Sequence, residues 1–289
     1  MSRTARVALV LFAGLAAAGT WLDRQAPPAE RPPHIMEADL HVHPFPGDGV
    51  LTVGALRREA SRRGLDVIAI TAHNNRFGLD ADVAASEAAD VIVLPGQEIT
   101  TPGFHMIAVG VTRLIDWRLD AAGAIAAIHA QGGVAIAAHP VRASWRDGDA
   151  AALARLDGAE VAHPGRRSGT AGDEYLQFFH RARALNPVIA PIGSSDFHSA
   201  APLGLCRTYL LVRERSAAGV LEAIRLGRTV ASGSRGELFG AAAHVAEVEA
   251  YLAERGAAPG VSGRERLLGL LALAALAFVA APRLRLWRG

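Results

Sequence analysis

The stretch Ala38-Asp39-Leu40-His41-Val42-His43 decides the fold. It closes an apolar run that starts near Ile35, so its two histidines fall at the end of a strand. Spaced i, i+2 on a strand, their rings point to the same side, and two imidazoles can grip one ion. Working outward, the same theme returns. His73 follows an apolar run at 67–72, Glu98 follows one at 91–95, His139 one at 134–138, and Asp196 and His198 one at 188–192. Further apolar runs at 106–111 and 209–212 also read as strands. Helical stretches at 53–63, 81–89, 121–131, 149–156 and 173–185 lie between the strands. Short strands separated by helices and Gly/Pro turns predict βα units and a mostly parallel sheet. In a β/α barrel the C-terminal strand ends converge on one face. These residues are therefore expected to meet there despite their separation in sequence.

The residue types point to metal. A mixed imidazole and carboxylate set suits zinc, manganese or iron, and it lacks the thiolates of structural zinc. An isolated His-x-His, or an isolated Asp196-Phe197-His198, is usually incidental; recurrence after one predicted strand after another is not. No GxxxxGK[ST] loop and no strand-following GxGxxG is present, which removes the common nucleotide-binding signatures. Ser194 and Ser195 beside Asp196 and His198 do not make a hydrolase triad, because there is no GxSxG elbow.

Composition sets the remaining bounds. The chain has 289 residues, 51% of them hydrophobic, enough for one domain with a large core or for two small ones. Its formal charge is +2, and basic and aromatic residues are not interleaved, so no nucleic-acid partner is expected. The single cysteine, Cys206, rules out an internal disulfide without fixing the compartment.

The two ends differ from the middle. Residues 7–22 form an almost unbroken apolar run behind Arg3 and Arg6, so residues 1–23 read as a signal peptide or an N-terminal membrane anchor. A Pro-rich linker at 24–33 follows. Residues 267–282 are apolar with no polar stripe, flanked by Arg264 and Arg266 and by Arg283, Arg285 and Arg288. Residues 264–289 thus read as a C-terminal transmembrane helix and basic tail, with a buried or dimer-forming helix as the alternative. The positive-inside rule puts both basic ends in the cytoplasm. The expected location is membrane-associated, with the catalytic domain on the extracytoplasmic (periplasmic) side.

With these residues laid out, residues 34–235 resemble the PHP family, the polymerase and histidinol phosphatase domain. The matching pieces are Asp39-Leu40-His41-Val42-His43, Gly47-Asp48-Gly49, Ile70-Thr71-Ala72-His73-Asn74, Pro95-Gly96-Gln97-Glu98-Ile99-Thr100, Phe104-His105-Met106, Ala138-His139-Pro140 and Gly193-Ser194-Ser195-Asp196-Phe197-His198-Ser199. Residues 221–228 look like that family's closing helix, and 236–263 is left as a helical linker. The resemblance implies an α/β fold, a distorted (β/α)7 barrel, here flanked by hydrophobic N- and C-terminal helices. It also implies two or three divalent metal ions, Mn, Zn or Fe. One would take His41, His43, Glu98 and Asp196; a second, Asp48, His73 and His198; a third would share Glu98 and add His105 and His139. One departure stands out: the family carries Asp before the second-motif histidine, and here that residue is Ala72, which is expected to leave His73 without a nearby carboxylate.

The function implied is a membrane-associated metal-dependent hydrolase acting on a small-molecule phosphoester. Its nucleophile would be a metal-bridging hydroxide held by His41, His43, Glu98, Asp196 and His198. The alternatives are a carboxyl or carbamate ester metallohydrolase of the same fold and a non-catalytic metal-binding sensor. Arg142 and His163 are the candidate substrate contacts, Arg142 because a guanidinium matches phosphate or carboxylate bidentately.

Overall fold

The computed structural model describes Val7 and residues 32–75, 90–141, 145, 150–164, 170–199 and 201–255. The expected helix at 81–89, Arg142 and both hydrophobic ends lie outside these residues, Val7 apart. Among the described residues no helix is long and apolar enough to cross a membrane.

Among the described residues ten strands form one sheet: β1 (Ile35–Val42), β2 (Val67–Ile70), β3 (Ile92–Thr100), β4 (His105–Val109), β5 (Val134–Ala137), β6 (Gly158–Ala162), β7 (Ala190–Gly193), β8 (Arg207–Leu211), β9 (Thr229–Ser232) and β10 (Leu238–Gly240). Among the described residues six helices accompany them: α1 (Val53–Arg62), α2 (Ala121–His129), α3 (Ala150–Leu153), α4 (Thr170–Leu185), α5 (Ala217–Arg225) and α6 (Ala242–Arg255). The strand order is β10-β9-β8-β1-β2-β3-β4-β5-β6-β7. The sheet curls until β7 meets β8 and β9. Thr208 Oγ1 accepts from Gly193 N and donates to Gly193 O, and Thr229 Oγ1 donates to Pro191 O. Threonine hydroxyls thus stitch the seam of a nearly closed, distorted barrel.

The sheet is mixed, which corrects the expectation of a mostly parallel one. The pairs β1–β2, β2–β3, β5–β6 and β6–β7 are parallel, while β4 is antiparallel to both neighbours, as is β8. The cause lies between β3 and β4. Thr101 donates its N–H to Phe104 O, and its hydroxyl accepts from Gly103 N and Phe104 N. That tight turn reverses the chain, whereas a parallel crossover needs a dozen residues or more.

Apolar side chains from β1, β2, β3, β4, β5, β7 and β8 pack into one cluster, the barrel interior, which includes Met36, Ala38, Leu40, Ala69, Ile107, Ile136 and Ile192. Val220, Ala223 and Ile224 of α5 join it and plug the end remote from the histidines. Outside, α1 lays Val53, Leu56 and Ala60 over Ile68 and Ile70 of β2. Its start is capped by Thr52, which accepts from Ala55 N. Helices α2, α3 and α4 cover β5 and β6 through Ile125, Ile128, Leu153 and Phe178. Each such side chain, fully buried, contributes about 1.5–3 kcal/mol. Helix α6 rests on the same unit: Val248 is buried and Tyr251 Oη donates to Glu37 Oε1 at 2.8 Å.

Two irregularities position the site. The pairing of β1 with β2 slips between Asp39 and Val42, where three steps along β1 match two along β2. A bulge of this kind turns the following side chains over. Met36, Ala38 and Leu40 therefore face the interior below it, and His41 and His43 face the interior above it. In β3, Ile92 to Pro95 pair with β2, and Gly96 to Thr100 pair with β4. The change of partner happens at Gly96, where a Cβ would lie 2.6 Å from Ala108 O and 3.0 Å from Ile70 O. Only glycine fits there, and two residues later Glu98 points into the barrel mouth.

Candidate metal centre

At the mouth, His41 and His43 from β1 meet Glu98 from β3 and Asp196 from the segment after β7. His41 Nε2 lies 3.2 Å from Glu98 Oε2 and 3.2 Å from Asp196 Oδ1; His43 Nε2 lies 3.3 and 3.1 Å from the same two oxygens. All four atoms are buried, and none has a hydrogen-bond partner. Buried polar atoms without partners are rare and costly. A point central to atoms so spaced lies about 2 Å from each, the distance at which imidazole nitrogen and carboxylate oxygen bind a divalent metal. The donor set fits a cation.

Two further clusters adjoin it. Asp48, His73 and His198 gather beside His43: His73 Nε2 is 3.2 Å and His198 Nε2 3.1 Å from Asp48 Oδ2, and His43 Nδ1 is 3.1 Å from Asp48 Oδ1. Next to Asp48 the chain passes close against the His43 backbone, where a Cβ at Gly49 would lie 1.9 Å from His43 O. On the other side, His105 Nδ1 and His139 Nε2 lie 3.0 and 3.2 Å from Glu98 Oε1. Glu98 therefore gives one carboxylate oxygen to each of two clusters.

The chain matches no protein-family model. It is 32% identical over 148 residues to MJ1587, an uncharacterized protein of Methanocaldococcus jannaschii, a match spanning 46% of this chain and 85% of the archaeal one. The chain belongs to the family of MJ1587. Among solved structures it is similar to a two-domain protein of Bacteroides vulgatus that contains a predicted PHP-like metal-dependent phosphoesterase. That likeness has a TM-score of 0.55 and 22% identity, and it covers 73% of this chain and 69% of the other. The fold is that of the PHP domain.

In this PHP-like fold every sequence-predicted ligand lies in one of the three clusters. The grouping follows the expected one, with His43 also touching the Asp48 cluster. His105 reaches the site from the start of a strand, because antiparallel β4 begins where its neighbours end. His163 Nε2 is 3.3 Å from Asp196 Oδ2, the oxygen not directed at His41, so it sits behind a candidate ligand. Arg142 is outside the described residues.

The expectation that Ala72 leaves His73 without a carboxylate is corrected. His73 Nδ1 lies 2.9 Å from Glu98 Oε2 and 2.6 Å from Thr100 Oγ1. Asn74, at φ 47°, clips that arrangement by exchanging hydrogen bonds with the Thr100 backbone. His139 and Asp196 also take positive φ, at 27° and 48°. Such backbone costs energy in residues other than glycine, and it persists here at two candidate ligands.

Buried acids and imidazoles hold one another's charge in this site. Burial alone would raise the Glu98 carboxyl, but His41, His105 and His139 around it hold it well below its usual range. Burial also opposes ionisation of Asp196, and His41, His163 and His43 more than offset it, holding the carboxyl below its usual value. Burial would lower the His41 imidazole, yet Asp196, Glu98 and Glu160 raise it well above its usual value. The pocket draws positive charge to its centre.

Two supporting residues escaped the sequence reading. Thr100 is one. Glu160, fully buried on β6, is the other; it contacts His41, His139 and Ser194. A lone acid in the apolar run Ala159-Glu160-Val161-Ala162 was the available signal, since such a group is buried only with partners. Asp39 does not face the centre. It accepts from Ser195 N at 3.0 Å, Ser195 Oγ at 2.5 Å and Gly204 N at 2.8 Å, tying β1 to the loop that carries Asp196 and His198.

Proposed function

We propose that this chain is a metal-dependent phosphoesterase with two or three divalent ions, Mn, Zn or Fe, in the barrel mouth. The observation that carries the reading is the shared Glu98 carboxylate, one oxygen among four buried unpartnered donors and the other between His105 and His139. Adjacent divalent ions would neutralise phosphoryl oxygens and acidify a water for in-line attack. The protein supplies a graded cradle. His41, His43 and Glu98 are sealed from solvent, whereas the side chains of Asp48, His73 and His198 are 44%, 36% and 33% exposed and form the face a substrate meets. His163 steadies Asp196 from behind.

The test is hydrolysis of p-nitrophenyl phosphate and bis(p-nitrophenyl) phosphate by the purified full chain with manganese, then with chelator, beside p-nitrophenyl acetate. Phosphoester turnover that chelator abolishes and manganese restores is expected. A metal-loaded protein that cleaves only the acetate refutes the phosphoesterase reading.

A further inference from the structure

Glu160 faces donors in every direction the structure shows. Oε1 accepts from His41 Nδ1 at 3.0 Å and from the Ser194 hydroxyl, and Oε2 accepts from the backbone N–H of His139 at 2.5 Å. A carboxylate is acceptor-only, so the His41 nitrogen facing it carries the proton. With a cation in place of the second proton that the acid-lined site favours on this ring, Nε2 would present its lone pair, and it is this atom that joins Glu98 Oε2 and Asp196 Oδ1 without a hydrogen bond. The opposite oxygen of the same carboxylate fixes the main chain at His139, whose ring belongs to the neighbouring cluster. Ser194 stands two residues before Asp196. One buried side chain thus touches His41 and His139 directly and reaches the segment that carries Asp196.

We propose that Glu160 is the positioning residue of this centre: it locks His41 in the Nδ1–H tautomer, aims Nε2 at the Glu98–Asp196 cluster, and couples that cluster to the one holding His139. The chemistry of the nearest isostere makes this testable. In Glu160→Gln one oxygen becomes an NH2 group. If the NH2 takes the Oε2 place, it meets the His139 N–H, donor against donor. If it takes the Oε1 place, it donates to His41 Nδ1, forces the proton onto Nε2 and removes the lone pair. Either orientation spoils one cluster while shape and volume are kept.

The inference rests on the reading of these clusters as metal sites, and the experiment separates the two. Zinc affinity of the full chain is measured by competition with a chromophoric chelator, for wild type and Glu160→Gln, alongside circular dichroism and Tm of both metal-free proteins. The expected result is a metal-free variant that folds like wild type but binds zinc about 10–100-fold more weakly, the usual range for losing a group that orients a ligand. Equal zinc affinity in the two proteins overturns the positioning role and leaves the metal centre standing. A wild type that takes up no zinc overturns both. If Glu160→Gln does not fold, the 15N histidine spectrum of zinc-loaded wild type decides. His41 with a protonated Nδ1 and a zinc-shifted Nε2 is the expected pattern, and the reverse assignment refutes the proposal.

Discussion

Replacing Glu98 by Gln is the sharpest perturbation of the centre. Its Oε2 approaches His41 Nε2, His43 Nε2 and His73 Nδ1, and its Oε1 approaches His105 Nδ1 and His139 Nε2, all within 2.9–3.3 Å. Glutamine keeps the shape but offers one oxygen, so it serves one cluster and turns an NH2 group toward the other. The buried cluster also falls from two carboxylates to one opposite a doubly charged ion. Losing a supporting residue lowers metal affinity about 10–100-fold, so losing a shared ligand is expected to cost at least about 100-fold, or 2.7 kcal/mol or more. Metal present at 100 times its dissociation constant stabilises the native state by about 2.7 kcal/mol, and a variant that binds about 100-fold more weakly forfeits most of that increment. The assay is metal content after dialysis together with the rise in Tm on adding manganese. At least one ion fewer per chain, a smaller thermal shift and loss of phosphoester turnover are expected. Wild-type metal content with near-normal activity would refute the bridging role.

Further outcomes follow from the support around the centre. Asp39→Ala strands three buried donors, Ser195 N, Ser195 Oγ and Gly204 N. At about 1–3 kcal/mol for each lost partner, urea unfolding of the metal-free protein should show a loss of about 3 kcal/mol or more; a loss under about 1 kcal/mol contradicts the clamp. The Cys206 thiol is pushed up to about 12, first by burial and then by Asp39, Glu160 and Glu237. A raised thiol value keeps the proton on sulfur at pH 8, so native protein should not react with a chromogenic disulfide there and should react fully once unfolded. Rapid native labelling would show the core open at that point.

Most of the candidate metal-site residues were legible from the strand-end rule, because His41, His43, His73, Glu98, His139, Asp196 and His198 each follow an apolar run on a converging face. His105 was not, since it opens its strand. In a parallel sheet that end lies at the far side, and only the motif Phe104-His105-Met106 pointed to it. The short turn at 101–104 that reverses β4 was present in the sequence as Thr101-Pro102-Gly103-Phe104, but an apolar run of strand length carries no direction. Period-two alternation by itself does not place Asp39. Alternation puts Glu37, Asp39, His41 and His43 on one face, whereas the slip between Asp39 and Val42 sends the first two outward and the last two inward. Outside the mouth those two acids have their own partners: Glu37 pairs with Arg207 and Tyr251, and Asp39 with the Ser195 segment. Glu160 was hidden for a different reason: its partners come from β1, from the end of β5 and from the end of β7, a meeting that no local pattern encodes.

That slip in β1 matters for anyone who would transplant this centre. A donor list copied onto a regular strand of another barrel would bring His41 and His43 with the wrong parity, facing a packed helix in place of the mouth. The unit to graft is the irregular strand itself, one residue longer than its neighbour across the same distance, together with the acid pair that its lower half turns outward. Rebuilt as an ideal ladder, the scaffold would be smoother and the ligands would point away from one another's company.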